Sequence, residues 1–253
     1  MLSRSQRLGA LGYIWSPTER HTSCPVCEAP STIFRDYTID RYGFLVDVGS
    51  CTTCTHHWLL GYLTEERARL FYADGWYRKL VDAHHGTTTT PHALRDVQRE
   101  YAKGLVRTLR DFTGRRRIHR LVDVGGAPGT IANIVGKAFR VDSVSMIDPA
   151  APDAASEDDV FEDLDLVLLC QTIDHVIDPY ALLSKVHTWL HFDGLLWLDI
   201  VDFDQRGEVK IDHPQMFSDA SARQLLDRAG FEILGTHDGL TPEHRGYIAK
   251  ATL

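Results

Sequence analysis

The chain has 253 residues, 43% of them hydrophobic and 25% charged, with a formal net charge of −8 at pH 7. That is enough apolar material for one large domain, or for one ordinary domain with a small appendage. The acidity argues against a surface built to neutralise phosphates, so nucleic acid is an unexpected partner, and no apolar run of about 18 residues exists to span a membrane.

Residues 1–20 show no clear period and read as an N-terminal arm; arginines interrupt the apolar residues of 1–15, so the core of a signal peptide is not expected. Residues 21–61 are rich in turn formers and short β-type runs such as Phe44-Leu45-Val46-Asp47-Val48. They carry two Cys-x-x-Cys pairs, Cys24/Cys27 and Cys51/Cys54. Thiolates favour tetrahedral zinc, and each such turn lets two sulfurs face one ion. The 23 residues between the pairs still let them meet, so a zinc ribbon is expected. A closed four-sulfur shell leaves no open coordination position, which makes this zinc structural; a redox or incidental role is the alternative. Cysteines in this pattern fit a reducing, cytoplasmic compartment better than a disulfide framework. His56 and His57 could replace a ligand, although free surface histidines are the simpler reading, and the fifth cysteine, Cys170, reads as a buried thiol.

Thr64 followed by Glu65-Glu66 predicts a capped helix that ends at Asp74-Gly75. Residues 84–91, with His84-His85 and four threonines, read as a polar inter-domain loop. Thr90 and Pro91 predict the cap and first turn of a helix to about Phe112. Residues 62–117 thus form a helical connector. The basic run Arg115-Arg116-Arg117, with His119 and Arg120, reads as a solvated loop or an anion contact.

From Ile118 onward short apolar runs alternate with helix-like stretches, the pattern of an α/β fold with a parallel sheet covered by helices. Strands are predicted at 119–124, 143–148, 164–170, 195–201, 231–237 and 247–252, and helices at 130–139, 179–190 and 219–229. Gly194 and Gly230 read as helix ends. The first strand ends at Asp123 and runs into Gly125-Gly126-Ala127-Pro128-Gly129, a layout that brings backbone close to a ligand at the strand's carboxyl end. The dinucleotide fingerprint is absent, and a plain strand-to-helix turn is the alternative. Asp148, 23 positions after Gly125 at the end of the second strand, is placed to accept hydrogen bonds from ribose hydroxyls. Turn and carboxylate together suggest an adenosine-containing cofactor.

Four segments in order carry a family resemblance: residues 51–59 with 64–67 and 71–77, the turn at 121–129, residues 165–179 with Asp174-His175-Val176 and Asp178-Pro179, and residues 213–218 with 225–231. On these the chain resembles class I S-adenosylmethionine-dependent methyltransferases, and more narrowly those preceded by a Cys-rich zinc-binding module. The resemblance covers nearly the whole chain. It implies a Rossmann-like domain over 118–253 and S-adenosylmethionine held by Asp123, Gly125, Gly126, Ala127, Gly129, Asp148 and Gln171. It also implies methyl transfer to a small-molecule acceptor, such as a nucleotide-linked sugar or another biosynthetic intermediate, with His175 and His213 as candidate bases. Asp174 could orient His175 or cap the following segment; Asp199 and Asp202 are weaker candidates. The acceptor is expected between the fourth- and fifth-strand loops, with the N-terminal part as a lid.

Two departures stand out. Ala127 occupies a position where the family commonly has glycine, and only the 16 residues 149–164 separate the second strand from the fourth-strand segment. A helix, third strand and return need about 30 or more, so the sheet is expected to be reduced at its third-strand edge. Asp158, Asp159, Glu162 and Asp163 there form a replacement acidic contact or a solvated loop. The shortened edge keeps a second function open: a catalytically degenerate zinc protein that serves as a binding or assembly subunit for a protein partner. RNA methylation is disfavoured by the acidity.

Overall fold

The structure, a computed structural model, describes residues 23–29, 33–114, 117–149, 151, 161–241 and 243–252. The arm at 1–20, and with it Arg115, Arg116, Asp158 and Asp159, lies outside the described residues.

Strands β1 (Ile33–Ile39) and β2 (Leu45–Cys51) form an antiparallel hairpin, and β3 (His57–Leu59) pairs with β2. Along β2 the side chains alternate, Val46 and Val48 buried and Leu45 exposed, as a strand with one packed face requires. Asp40 closes the hairpin: its carboxylate accepts from the Tyr42 and Phe44 amides (2.9 and 2.8 Å) and reaches across the fold to the Ile211 amide (3.0 Å).

Helix α1 (Glu65–Ala73) begins at Thr64, whose hydroxyl accepts from the Arg67 amide. After Gly75 the chain re-enters a helix, α2 (Trp76–His85), which the sequence reading had missed; His84 and His85 belong to its last turn rather than to a loop. Helix α3 (Pro91–Thr113) starts at the expected Thr90 cap, where the Thr90 hydroxyl accepts from Ala93 N at 3.2 Å.

The remaining chain alternates β4 (Arg120–Val124), α4 (Thr130–Phe139), β5 (Ser143–Ile147) and β6 (Leu164–Leu169). A 3-10 turn at Ile173–His175 leads into α5 (Pro179–Trp189), β7 (Leu190–Val201), α6 (Phe203–Arg206), β8 (Gln215–Met216), α7 (Asp219–Arg228), β9 (Phe231–His237) and β10 (His244–Ala251). The main sheet has the order β5-β4-β6-β7-β10-β9. Its first four strands are parallel, and β10 runs antiparallel to both neighbours. Every residue of β6 is buried, as a central strand covered on both faces demands. Leu166 and Leu168 face Leu105 and Leu109 of α3 and Val135 of α4. Val167 and Leu169 face Leu183 of α5 and Leu225 and Leu226 of α7.

Among the described residues β5 is the outermost strand on its side, so the sheet is reduced at its third-strand edge as the short spacing led us to expect. Gly194 corrects the sequence reading. It lies inside β7, which follows α5 directly, and a Cβ there would stand 2.7 Å from the Leu164 carbonyl.

The Cys-bearing ribbon does not stand apart. Its sheet continues into β8, giving the order β1-β2-β3-β8. Cys24, Val26 and Trp58 share one buried cluster with Val167, Leu196 and Leu225 of the main sheet and its helices. Among the described residues no helix is long and apolar enough to cross a membrane.

Candidate active site

At the end of β4 the chain turns sharply under steric constraint. Gly125 sits at φ 74°, where side-chain-bearing residues are rarely found, and a Cβ on it would lie 2.7 Å from Thr172 Oγ1. The turn is pinned on three sides. Gly125 N donates to Ile147 O (2.7 Å), Gly129 N to Gly126 O (2.6 Å), and Ala127 N to Asp148 Oδ2 (3.0 Å). Thr172 donates its hydroxyl to Val124 O (2.8 Å), which ties the end of β4 to the loop after β6. Gln171, exposed at φ 55°, stands beside it. Asp123, Gly125, Gly126, Ala127, Gly129, Asp148 and Gln171 therefore gather at the carboxyl ends of β4, β5 and β6. The Ala127–Pro128 bond is cis.

Asp123 lies fully buried beneath this turn. A Cβ on Gly126 would come within 2.4 Å of its carboxylate, so only glycine allows the close approach. Neither carboxylate oxygen has a hydrogen-bond partner of good geometry, although the Ala132 amide at the start of α4 lies near. Burial pushes the carboxyl up to about 7, with the Asp148 charge adding to the rise and the Ala132 amide opposing it. A buried acid without a donor is costly unless something satisfies it.

A second group lies past the 3-10 turn. The rings of His175 and His213 stand 4.4 Å apart at 70°. His175 Nδ1 is 2.7 Å from Asp212 O and 2.7 Å from Tyr72 Oη. A carbonyl oxygen can only accept, so Nδ1 carries the proton and Nε2 keeps a lone pair. Burial lowers the pKa of His175 and pulls that of His213 well below its usual value, so both rings are neutral at pH 7. Asp212 is buried, with Oδ2 3.5 Å from His213 Nε2 and the Tyr42 hydroxyl beside its carboxylate. Ligating atoms of His175, Asp212 and His213 all fall within 4.8 Å of one another. Tyr77 completes an aromatic wall against His175, with ring centroids 5.9 Å apart.

Sequence reasoning found the two histidines but missed Asp212 and Tyr72. The adjacency of Asp212 to His213 was the available signal, while Tyr72 sits in a helix whose facing residues no local pattern reveals. Other readings change. Asp174 neither orients His175 nor caps α5: it is buried, accepts from Val201 N at 3.2 Å, and is pushed up to about 8 by that burial, while Asp178 caps α5. Asp199 accepts from Tyr101 (2.6 Å) and pairs with His244 (3.1 Å), and Asp202 caps α6 and pairs with Arg245. Glu162 and Asp163 are exposed, and Arg117 pairs with Asp142. Cys170 is only partly buried.

The four cysteines of the ribbon converge. Cys24 and Cys54 sulfurs lie 3.5 Å apart, as do those of Cys27 and Cys51, and all four fall within 4.8 Å of one another. None is in a disulfide. His56 and His57 are not free surface residues. His56 is fully buried and bonded to Gln215 (2.9 Å), and His57 is half-buried and bonded to Ser50 (2.7 Å).

Comparison with curated proteins found no match. Solved structures share the fold. An S-adenosylmethionine-dependent methyltransferase from Clostridium acetobutylicum ATCC 824 superposes with a TM-score of 0.51 at 11% identity, over 61% of this chain and 92% of that one. The magnesium protoporphyrin IX methyltransferase of Synechocystis PCC 6803, with bound SAH, gives 0.52 at 14% identity, over 75% and 100%. The N,N-8-amino-8-demethyl-D-riboflavin dimethyltransferase of Streptomyces davawensis gives 0.55 at 17% identity, over 72% of this chain and 61% of that one. The methyltransferase-domain family model matches residues 93–236, a stretch that runs from α3 through the glycine turn to β9, and the chain belongs to that family.

Proposed function

We propose that the chain transfers a methyl group from S-adenosylmethionine to a small-molecule acceptor. The observation that carries the reading is Asp123: a fully buried carboxyl, without a well-formed hydrogen bond, under a glycine turn that a single Cβ would block. Such an acid at the strand ends suits a cationic ligand, and the cofactor carries both an ammonium and a sulfonium. Asp123, Gly125, Gly126, Ala127 and Gly129 would hold it, with Asp148 and Gln171 beside the turn. When bound, the cofactor supplies an electrophilic methyl group and leaves as S-adenosylhomocysteine.

His175 is suited to the proton that an acceptor O–H or N–H must lose. Its Nδ1–H is committed to Asp212 O, and Nε2 is free to accept. Tyr72 and Tyr77 lie against this ring, so α1 and α2 act as the lid over the acceptor. His213 and the Asp212 carboxylate beside it offer further polar contacts to a hydroxylated acceptor. A small molecule is favoured by the net acidity and by the riboflavin and protoporphyrin substrates in the names of similar structures. Cytoplasmic residence fits cysteines that form no disulfide among the described residues.

The four cysteines fit a structural zinc. Tetrahedral Zn–S bonds of about 2.3 Å place sulfurs about 3.8 Å apart, close to the spacing that the two measured pairs already have. The reduced sheet edge favours a second reading, a methyltransferase fold retained as a binding or assembly subunit.

Calorimetry with S-adenosylhomocysteine separates the two. The parent chain is expected to bind, and Gly126→Ala, which sets a methyl against Asp123, to weaken binding by roughly tenfold or more, about 1.4 kcal/mol. No heat at millimolar ligand would leave the subunit reading.

A further inference from the structure

His175 and His213 are 38 positions apart in sequence, yet their rings meet at 4.4 Å. Their separation depends on how two loops are braced against each other. Gln215 spans that gap. It is fully buried, lies two residues after His213, and donates from Nε2 to the carbonyl of Ile177 (2.8 Å), two residues after His175. Its Oε1 accepts from His56 Nε2 (2.9 Å). Because the Ile177 carbonyl can only accept, the amide has one orientation, and because Oε1 can only accept, His56 must carry its proton on Nε2.

The third anchor reaches the cysteine ribbon. His56 follows Cys54 by two residues, its carbonyl accepts from Cys51 N (2.8 Å), and its ring lies between Trp58 (6.0 Å, stacked) and Phe217 (4.7 Å). Main-chain contacts run parallel to this link: Gln215 and Met216 pair with Trp58 and His57, and Leu59 N donates to Pro214 O at 2.9 Å. Packing alone would be served by apolar side chains here, since a buried carboxamide and imidazole lose hydration that only matched hydrogen bonds restore. What the polar pair adds over an apolar pair is a fixed distance and orientation.

We propose that Gln215, held by His56, is a positioning residue that sets the spacing and tautomer of the His175–His213 pair and couples it to the Cys-x-x-Cys turn at Cys51–Cys54. This rests on the reading that the two histidines face the acceptor. It adds a residue that touches neither cofactor nor acceptor and acts through the two loops.

The test uses the full chain labelled with 15N in its histidine rings and needs no acceptor. The parent is expected to show His175 as the Nδ1–H tautomer. Gln215→Met keeps length and volume but has neither donor nor strong acceptor. It is expected to mix the His175 tautomers and move the His213 ring signals, with S-adenosylhomocysteine affinity within about twofold of the parent. His56→Phe keeps the ring between Trp58 and Phe217 and is expected to move the same signals; it decides alone if the methionine variant does not fold. A folded Gln215→Met chain, or failing that a folded His56→Phe chain, with parental ring signals overturns the proposal. Failure of the parent to bind S-adenosylhomocysteine would instead remove the methyltransferase reading and leave the ring measurement standing.

Discussion

Asp123 concentrates the conflict between stability and function at the scale of one residue. Its folded carboxyl titrates near 7, against about 3.9 for an unfolded aspartate. Between those values the folded chain holds a proton that the unfolded chain has released. Stability is therefore lost as pH rises from about 4 to about 7, and levels off above. Asparagine mimics the protonated acid without titrating. Asp123→Asn is expected to be more stable than the parent by a margin that grows across that window towards an upper bound of about 4 kcal/mol, while binding S-adenosylhomocysteine more weakly. Urea unfolding at pH 5 and pH 8 checks this, and equal margins at the two values would contradict it. His213 works in the opposite sense. Its folded pKa lies well below the ordinary 6.5, so the unfolded chain takes up a proton that the folded chain refuses, and its contribution to stability is lost as pH falls below about 6.5.

At the scale of elements, the ribbon and the strand that follows Asp212 and His213 share one sheet. Metal at the cysteines would supply folding energy to the hairpin, and β3 would pass that order to its partner β8. Cys51→Ser is expected to lower zinc below one per chain and to speed amide exchange in peptides covering 45–60 and 212–218, leaving β6 and β7 protected. Unchanged exchange at 212–218 would mean that β8 is held without the ribbon. Elements with local signals were legible in the sequence: the Thr64 and Thr90 caps, the cysteine pairs, the glycine turn and the alternating apolar runs. What escaped was set by distant partners. Helix α2 was hidden because Gly75 reads as a terminator, although at φ 70° it only turns the chain between two helices. The two residues of β8 have no period of their own and become a strand only by pairing with β3. His56 looked like a surface residue because its partner, Gln215, lies 159 positions away, and Asp212 offered no signal beyond its adjacency to His213.

For the whole molecule, two buried faces fix one sheet, and its carboxyl ends carry the Asp123 turn and the loop that leads to His175. Helices α3 and α4 cover one side. The other is covered by α5 and α7 together with the ribbon residues Cys24, Val26 and Trp58. The fold class was readable from the alternation of apolar runs with helix-like stretches, and the reduced edge from a spacing too short, beside the family it resembles, for a helix, a third strand and a return. On the proposed reading, cofactor and acceptor would meet in a crevice between the Asp123 turn and the His175–His213 pair. The most direct test is a crystal structure of the full chain grown with S-adenosylhomocysteine. The ligand is expected at the carboxyl ends of β4 and β5, its amino acid end over the Gly125–Gly129 turn and its sulfur directed towards His175. A well-ordered turn with side chains filling that crevice, and no ligand in it, would contradict the account.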